Sequence, residues 1–280
     1  MNRLTEARTD EAIGHGSPIL DRSRAQLRLP SDMVSETLRI AHVQSIPDVG
    51  PDSAPEPPGR ETIKRLEASG ILADGALDEV AFELLDVVNQ ASLVVAVDMR
   101  YGDDTSVPTV WSTPRRAVVS SSLDPAFVEF RPVPVTQLPQ VLAELIVLRS
   151  PRFIGDVPIS ISADILTKAQ AAEDRDTAMH LLTEGGLDAD QAVLMLDLQR
   201  SDVRRWKISS TWSTDAGQEG AELRGLDAGP SGQWLLGTTG DEGEQGQLTF
   251  IPQGHGEVMS AFRSVLPKNW MGTPLNRPTT

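Results

Sequence analysis

LEASGI (residues 66–71) and LTEGGL (residues 182–187) read as one event written twice. In each, an apolar-periodic segment stops at a glycine and resumes on an apolar residue, the mark of a helix closed by a left-handed position. Working outward, residues 81–87 (AFELLDV) face residues 192–198 (AVLMLDL), and Phe130-Arg131-Pro132-Val133-Pro134 faces Phe250-Ile251-Pro252. Val141-Leu142 then faces Val258-Met259 in a last helical pattern. The offset drifts, as changes in loop length would produce. Both halves run in the order helices, about four strands, a proline and a closing helix. The period is too long for a solenoid or propeller. It predicts a duplicated α+β fold, in which two halves pair about a pseudo-twofold axis. A central, mainly antiparallel sheet would be flanked by two helical bundles.

The boundaries follow from the same walk. Residues 1–24 are polar and aperiodic and read as a mobile tail. Residues 25–267 form the folded domain, with halves at about 25–150 and 151–267, and residues 268–280 read as a second tail. Pro47 to Gly59 holds five prolines and two glycines, so it reads as a loop or linker. Strands are expected at 25–29, 92–99, 107–111, 116–120, 127–135, 204–212, 222–226, 233–238 and 247–251. Helical periodicity covers 34–43, 61–69, 77–88, 138–148, 161–172, 177–183, 188–199 and 256–266. Asp188 with Gln191 forms a capping-box signature.

Composition removes several function classes. No apolar run approaches a membrane span, and MNRLTEARTDEAIGHG lacks the apolar core of a signal peptide, so a cytosolic location without membrane insertion is expected. The absence of cysteine excludes thiol nucleophiles, disulfides and thiolate zinc sites. Forty acidic residues against 25 basic ones give a net charge of −15, a field that repels nucleic acid. The four histidines, His15, His42, His180 and His255, have no partner at metal-ligand spacing. No nucleophile elbow, phosphate loop or dinucleotide fingerprint occurs. GTTGDEGEQG (237–246) is glycine-rich but carries three acids, and reads as a hairpin loop. The reading is of a protein without catalytic residues, cofactor or metal. A hydrolytic alternative would need His255 beside a buried carboxylate and a serine.

Binding features are better represented. Trp206, Ile208 and Trp212 fall on one face of a strand, and Tyr101, Val110 and Trp111 lie in or beside the first hairpin. Tyr101-Gly102-Asp103-Asp104 is its turn.

Residues 25–267 resemble the EspG family, cytosolic chaperones of mycobacterial type VII (ESX) secretion. The likeness rests on Leu27-Arg28-Leu29-Pro30-Ser31-Asp32, on Leu66-Glu67-Ala68-Ser69-Gly70-Ile71 and on Arg131-Pro132-Val133-Pro134-Val135. It continues through Leu226-Asp227-Ala228-Gly229, Gly232-Gln233-Trp234, Phe250-Ile251-Pro252 and Ser264-Val265-Leu266-Pro267. Gln233 stands where members have arginine, and the glycine turn before it is longer, so the resemblance is to a divergent form of this actinobacterial family.

The resemblance implies a chaperone that binds PE–PPE heterodimers and keeps them soluble before export. The hairpin loop after the second strand, here residues 100–107, would cover the apolar tip of the PPE subunit together with surfaces of the sheet and C-terminal bundle. Tyr101, Val107 and Val110 would give apolar contacts, and Arg100, Asp103 and Asp104 would set register. Leu194 and Trp212 are the candidates on the bundle and sheet. Homodimer formation stays open. So does a second reading, an acidic immunity protein or adaptor that binds a basic partner.

Overall fold

The computed structural model describes residues 17–45, 59–146, 157–200, 202–239 and 246–270. The first half runs β1 (Ile19–Asp21), β2 (Gln26–Pro30), α1 (Val34–Ser45), α2 (Arg60–Ala68), β3 (Leu72–Ala73), β4 (Ala76–Leu77) and α3 (Glu79–Asn89). It continues with β5 (Leu93–Tyr101), β6 (Asp104–Ser106), β7 (Thr109–Ser112), β8 (Ala117–Asp124), β9 (Phe127–Val133) and α4 (Leu138–Leu145). The second half runs β10 (Ile159–Ser162), α5 (Ala163–Gln170), α6 (Arg175–Glu184) and α7 (Ala189–Leu198). After these come β11 (Arg204–Thr214), β12 (Gly217–Asp227), β13 (Gln233–Thr239), β14 (Gln247–Gln253) and α8 (His255–Ser264). Every strand pair with a defined register is antiparallel, and the class is α+β as the sequence predicts.

Backbone contacts divide the chain into two compact units: Met1–Ala91 with Arg116–Pro132, and Ser92–Arg115 with Val133–Thr280. The division does not follow the two halves of the sequence. Strands β5, β6 and β7 and helix α4 belong to the first half but group with the second.

In the first unit the strands run β1-β2-β9-β8, and α1 lies against α3. Leu27, Leu29, Met33, Leu66, Leu85 and Phe130 are buried in its core. The Asp78 carboxylate accepts from the Val80 N–H and caps α3. Near the other end of that helix Asp86 is buried. It accepts from the Gln90 amide at 2.6 Å and from Arg116 at 3.2 Å, the partners a buried carboxylate requires. Two short features depart from expectation. Ile19–Asp21 is a strand on β2 rather than part of a tail, and residues 72–77 form a small hairpin. Strands of two or three residues have no period to read.

In the second unit the order is β7-β5-β11-β12-β13-β14-β10, with β6 also pairing β5. The halves of the sequence meet at β5 and β11, where Ala96 lies opposite Ser209 and Val95 opposite Ser210. Helices α5, α6 and α7 bury Leu182, Met195, Leu198, Trp234 and Phe250 against one face of the sheet. On the other face Trp206 meets Phe262 of α8 edge-on, with centroids 5.7 Å apart, and α4 lies against α8. The expected helix at 161–172 begins only at Ala163. Ile159 and Ile161 are buried and alternate with Ser160 and Ser162 in β10, which pairs β14. Residues 268–270 are likewise ordered rather than tail, and the Trp270 indole N–H donates to Ser112 Oγ at 3.1 Å.

Positions matched between the two halves of the sequence make matching bonds. Gly70 has φ +67° and Gly186 φ +97°. The N–H of Ile71 reaches back to the Leu66 carbonyl, and that of Leu187 to the Leu182 carbonyl. Phe130 sits opposite Leu27 as Phe250 sits opposite Ile159, all four buried. The linker expected at 47–59, the loop tip at 240–245 and the terminal segments 1–16 and 271–280 lie outside the described residues, Gly59 apart. Among the described residues, no helix is long and apolar enough to cross a membrane.

Candidate functional site

Period-two alternation sorts the central strands of the second unit into two faces. Trp206, Ile208 and Ser210 are buried on the α8 side. Asp98 and Arg100 of β5, Arg205 and Lys207 of β11, and Arg224 of β12 point the other way. These five side chains form the floor of an open-sided groove of about 510 Å³. Leu166, Thr167 and Gln170 of α5 and Leu198 and Gln199 at the end of α7 make one wall. Leu226, Leu236, Leu248 and Phe250 supply an apolar end, which is the upper edge of the helix-covered core.

The groove is basic within an acidic chain. Arg100 has Asp98 at 3.7 Å, and Arg224 pairs with Glu222. Arg205 donates to the carbonyls of Leu198 and Arg200, each at 3.4 Å, which ties the strand to the end of α7. Burial lowers the Arg205 guanidinium from its ordinary value, the direction desolvation gives a cation. It stays charged at any working pH.

Beside the groove, β5 continues into a hairpin. Tyr101 pairs Asp104 across a two-residue turn, and Gly102 has φ +60° at the first turn position, as a type II′ turn requires. Tyr101 and Val107 are large apolar residues left about half exposed. The Arg204 guanidinium lies 5.7 Å from the Tyr101 ring centroid, and Arg204 also donates to the Ile146 carbonyl at 3.3 Å. A smaller cavity of about 240 Å³ lies here, lined by Tyr101, Asp104, Leu145 and Arg204 among others.

The expected contact residues are therefore dispersed. Arg100, Tyr101, Asp103, Asp104 and Val107 are gathered at the exposed hairpin. Val110 is not a surface residue: it pairs Val95 in β7 and is fully buried, so it packs the core. Leu194 is partly buried against the helical core and does not line the groove. Trp212 is half-buried on the opposite face from Lys207, paired with Leu93 and Glu219. The residues sequence reasoning missed are Arg205, Lys207, Arg224 and Gln199. The same alternation that placed Trp206 and Ile208 inward points Arg205 and Lys207 outward, so that signal was present. The contribution of Arg224 and α7 depends on strand order and could not be read.

His255 is exposed at the first residue of α8, and His180 is exposed on α6 with Glu184 at 3.2 Å. Among the described residues, no group of three or more His, Cys, Asp or Glu is placed to hold a metal ion.

No family model matches the chain. No curated protein matches it either. Fourteen chains of solved structures do. One is the type VII secretion system chaperone EspG5 of Mycobacterium tuberculosis, solved in complex with the PE25–PPE41 dimer. It aligns at a TM-score of 0.61 and 12% identity, over 87% of this chain and 97% of that one. At this identity the likeness shows a shared fold.

Proposed function

We propose that this chain is a cytosolic chaperone of a type VII secretion pathway, which binds a PE–PPE-type heterodimer and keeps it soluble and fit for export. The likeness to EspG5, which spans nearly all of that chaperone, carries the reading. The second unit supplies what such work requires. Tyr101 and Val107 offer exposed apolar area on a hairpin, and a groove with a leucine-rich end lies beside it. Covering an apolar client tip stops the client from associating with itself, and this needs stoichiometric binding rather than turnover. The sign of the groove runs against the acidic-adaptor alternative, since a basic partner would meet Lys207 and Arg205 there.

Co-expression with PE–PPE pairs from an ESX-bearing actinobacterium tests the reading. At least one pair should gain soluble yield and elute with the chain as a single complex on size exclusion. If every such pair elutes apart from it, the chaperone reading fails.

A further inference from the structure

Four cations stand on one face of three adjacent strands. Arg100 lies directly opposite Arg205, and Lys207 directly opposite Arg224. Like charges facing each other across strands destabilise a sheet, and here two such pairs sit side by side in a chain of net charge −15. Internal carboxylates compensate only part of the cluster. Asp98 pairs with Arg100 and also lies directly opposite Lys207, and Glu222 serves Arg224, while Arg205 and Lys207 have no ion pair among the described residues. Gln199 lines the same cavity, and its amide nitrogen is buried without a hydrogen-bond partner among the described residues. Three donors thus border one groove, next to Leu236 and Leu248.

We infer that the groove recognises an acidic amphipathic helix of the client, whose carboxylates meet Lys207 and Arg205 while its apolar stripe meets Leu236 and Leu248. The inference rests on the chaperone reading for the identity of the client, but its chemistry comes from the groove alone. A polyphosphate or nucleic acid fits poorly: much of the lining is apolar, and the field of the whole chain repels a dense polyanion. A helix with one or two glutamates beside its leucines meets little of that repulsion and satisfies the donors.

The probe is a fluorescein-labelled helical peptide with leucines at i, i+3, i+4 and i+7 and flanking glutamates. It is compared with the same peptide carrying glutamines and with an oligothymidylate. Anisotropy should show the glutamate peptide binding about tenfold more tightly than the glutamine peptide, the difference a charge-assisted hydrogen bond makes. Lys207→Met should remove most of that preference. Lys64→Glu, a larger charge change on exposed α2, should leave it intact, and thermal melts should show all variants folded. Equal binding of the two peptides, an unaffected Lys207→Met, or tighter binding of the oligothymidylate would overturn the inference. Capture of a PE–PPE pair equally by wild type and by Lys207→Glu would also overturn it while leaving the chaperone reading intact. Lys207-dependent peptide binding with no PE–PPE pair captured would support the groove chemistry and count against the chaperone.

Discussion

Single residues decide how closely the central strands can pack. Gly225 lies opposite Trp206, and a Cβ there would overlap the indole at Cζ2, with Cε2 and Cη2 at 2.7 Å. The indole lies over the glycine because no side chain competes for that space. Its N–H is buried without a partner among the described residues, and the ring packs edge-on against Phe262. Gly225→Ala should therefore destabilise the fold by about 2 kcal/mol, the usual cost of overpacking. Urea denaturation followed by far-ultraviolet dichroism measures this. In a Trp206→Phe background the same substitution should cost about half as much, because the smaller ring leaves room and the two sites are coupled. An equal penalty in both backgrounds would place the strain elsewhere.

At the scale of elements, sequence alone revealed the repeated helix stop and the N-cap of α7. Both depend on local chemistry: a glycine free to take positive φ, and a carboxylate three residues before a backbone N–H. It also revealed β5 and β11, whose runs of β-branched and aromatic residues are long enough to show a period. The elements that escaped are short or depend on remote partners. β1 and β10 exist because β2 and β14 offer edges to pair with, and no window around Ile19 or Ile159 contains those edges. The candidate site was legible to the same degree. The hairpin at Tyr101 announced itself through Gly102, whereas the groove combines seven elements whose neighbourhood only the strand order and helix packing define. Val110 was misplaced for a related reason, since a valine beside a hairpin looks the same in sequence whether it faces solvent or Val95. If the duplication has kept the helix stop for its backbone geometry, Gly70→Ala and Gly186→Ala should cost alike. Each forces a left-handed residue with a Cβ, at about 1–2 kcal/mol, and no neighbouring atom of the described residues lies within 4 Å of either added Cβ to enlarge the penalty. Paired denaturation curves decide this, and a difference of more than about 1 kcal/mol would show that the two stops no longer serve the same purpose.

The charge of the whole molecule and the charge of the groove oppose each other, and ionic strength separates them. A net charge of −15 strains the compact state through self-repulsion. Moving from low salt to physiological salt shortens the screening length to about 8 Å, which should raise the melting temperature by a few degrees, about what 1 kcal/mol produces in a chain of this size. The cationic groove responds with the opposite sign. Its attraction for a carboxylate partner is strongest at low salt, and the affinity gap between wild type and Lys207→Met should narrow as salt rises. The two effects come from different distances: self-repulsion is summed over the surface, while Lys207 and Arg205 act on a carboxylate at contact. Partial desolvation of Arg205 makes the contact term the less easily screened. The gap should therefore shrink at physiological salt without vanishing, over the same range in which the melting temperature climbs. Differential scanning fluorimetry and peptide anisotropy in one salt series measure both. If the gap closes completely while the melting temperature is still climbing, the groove acts through long-range steering only, and the paired cations on β5, β11 and β12 do not grip a carboxylate directly.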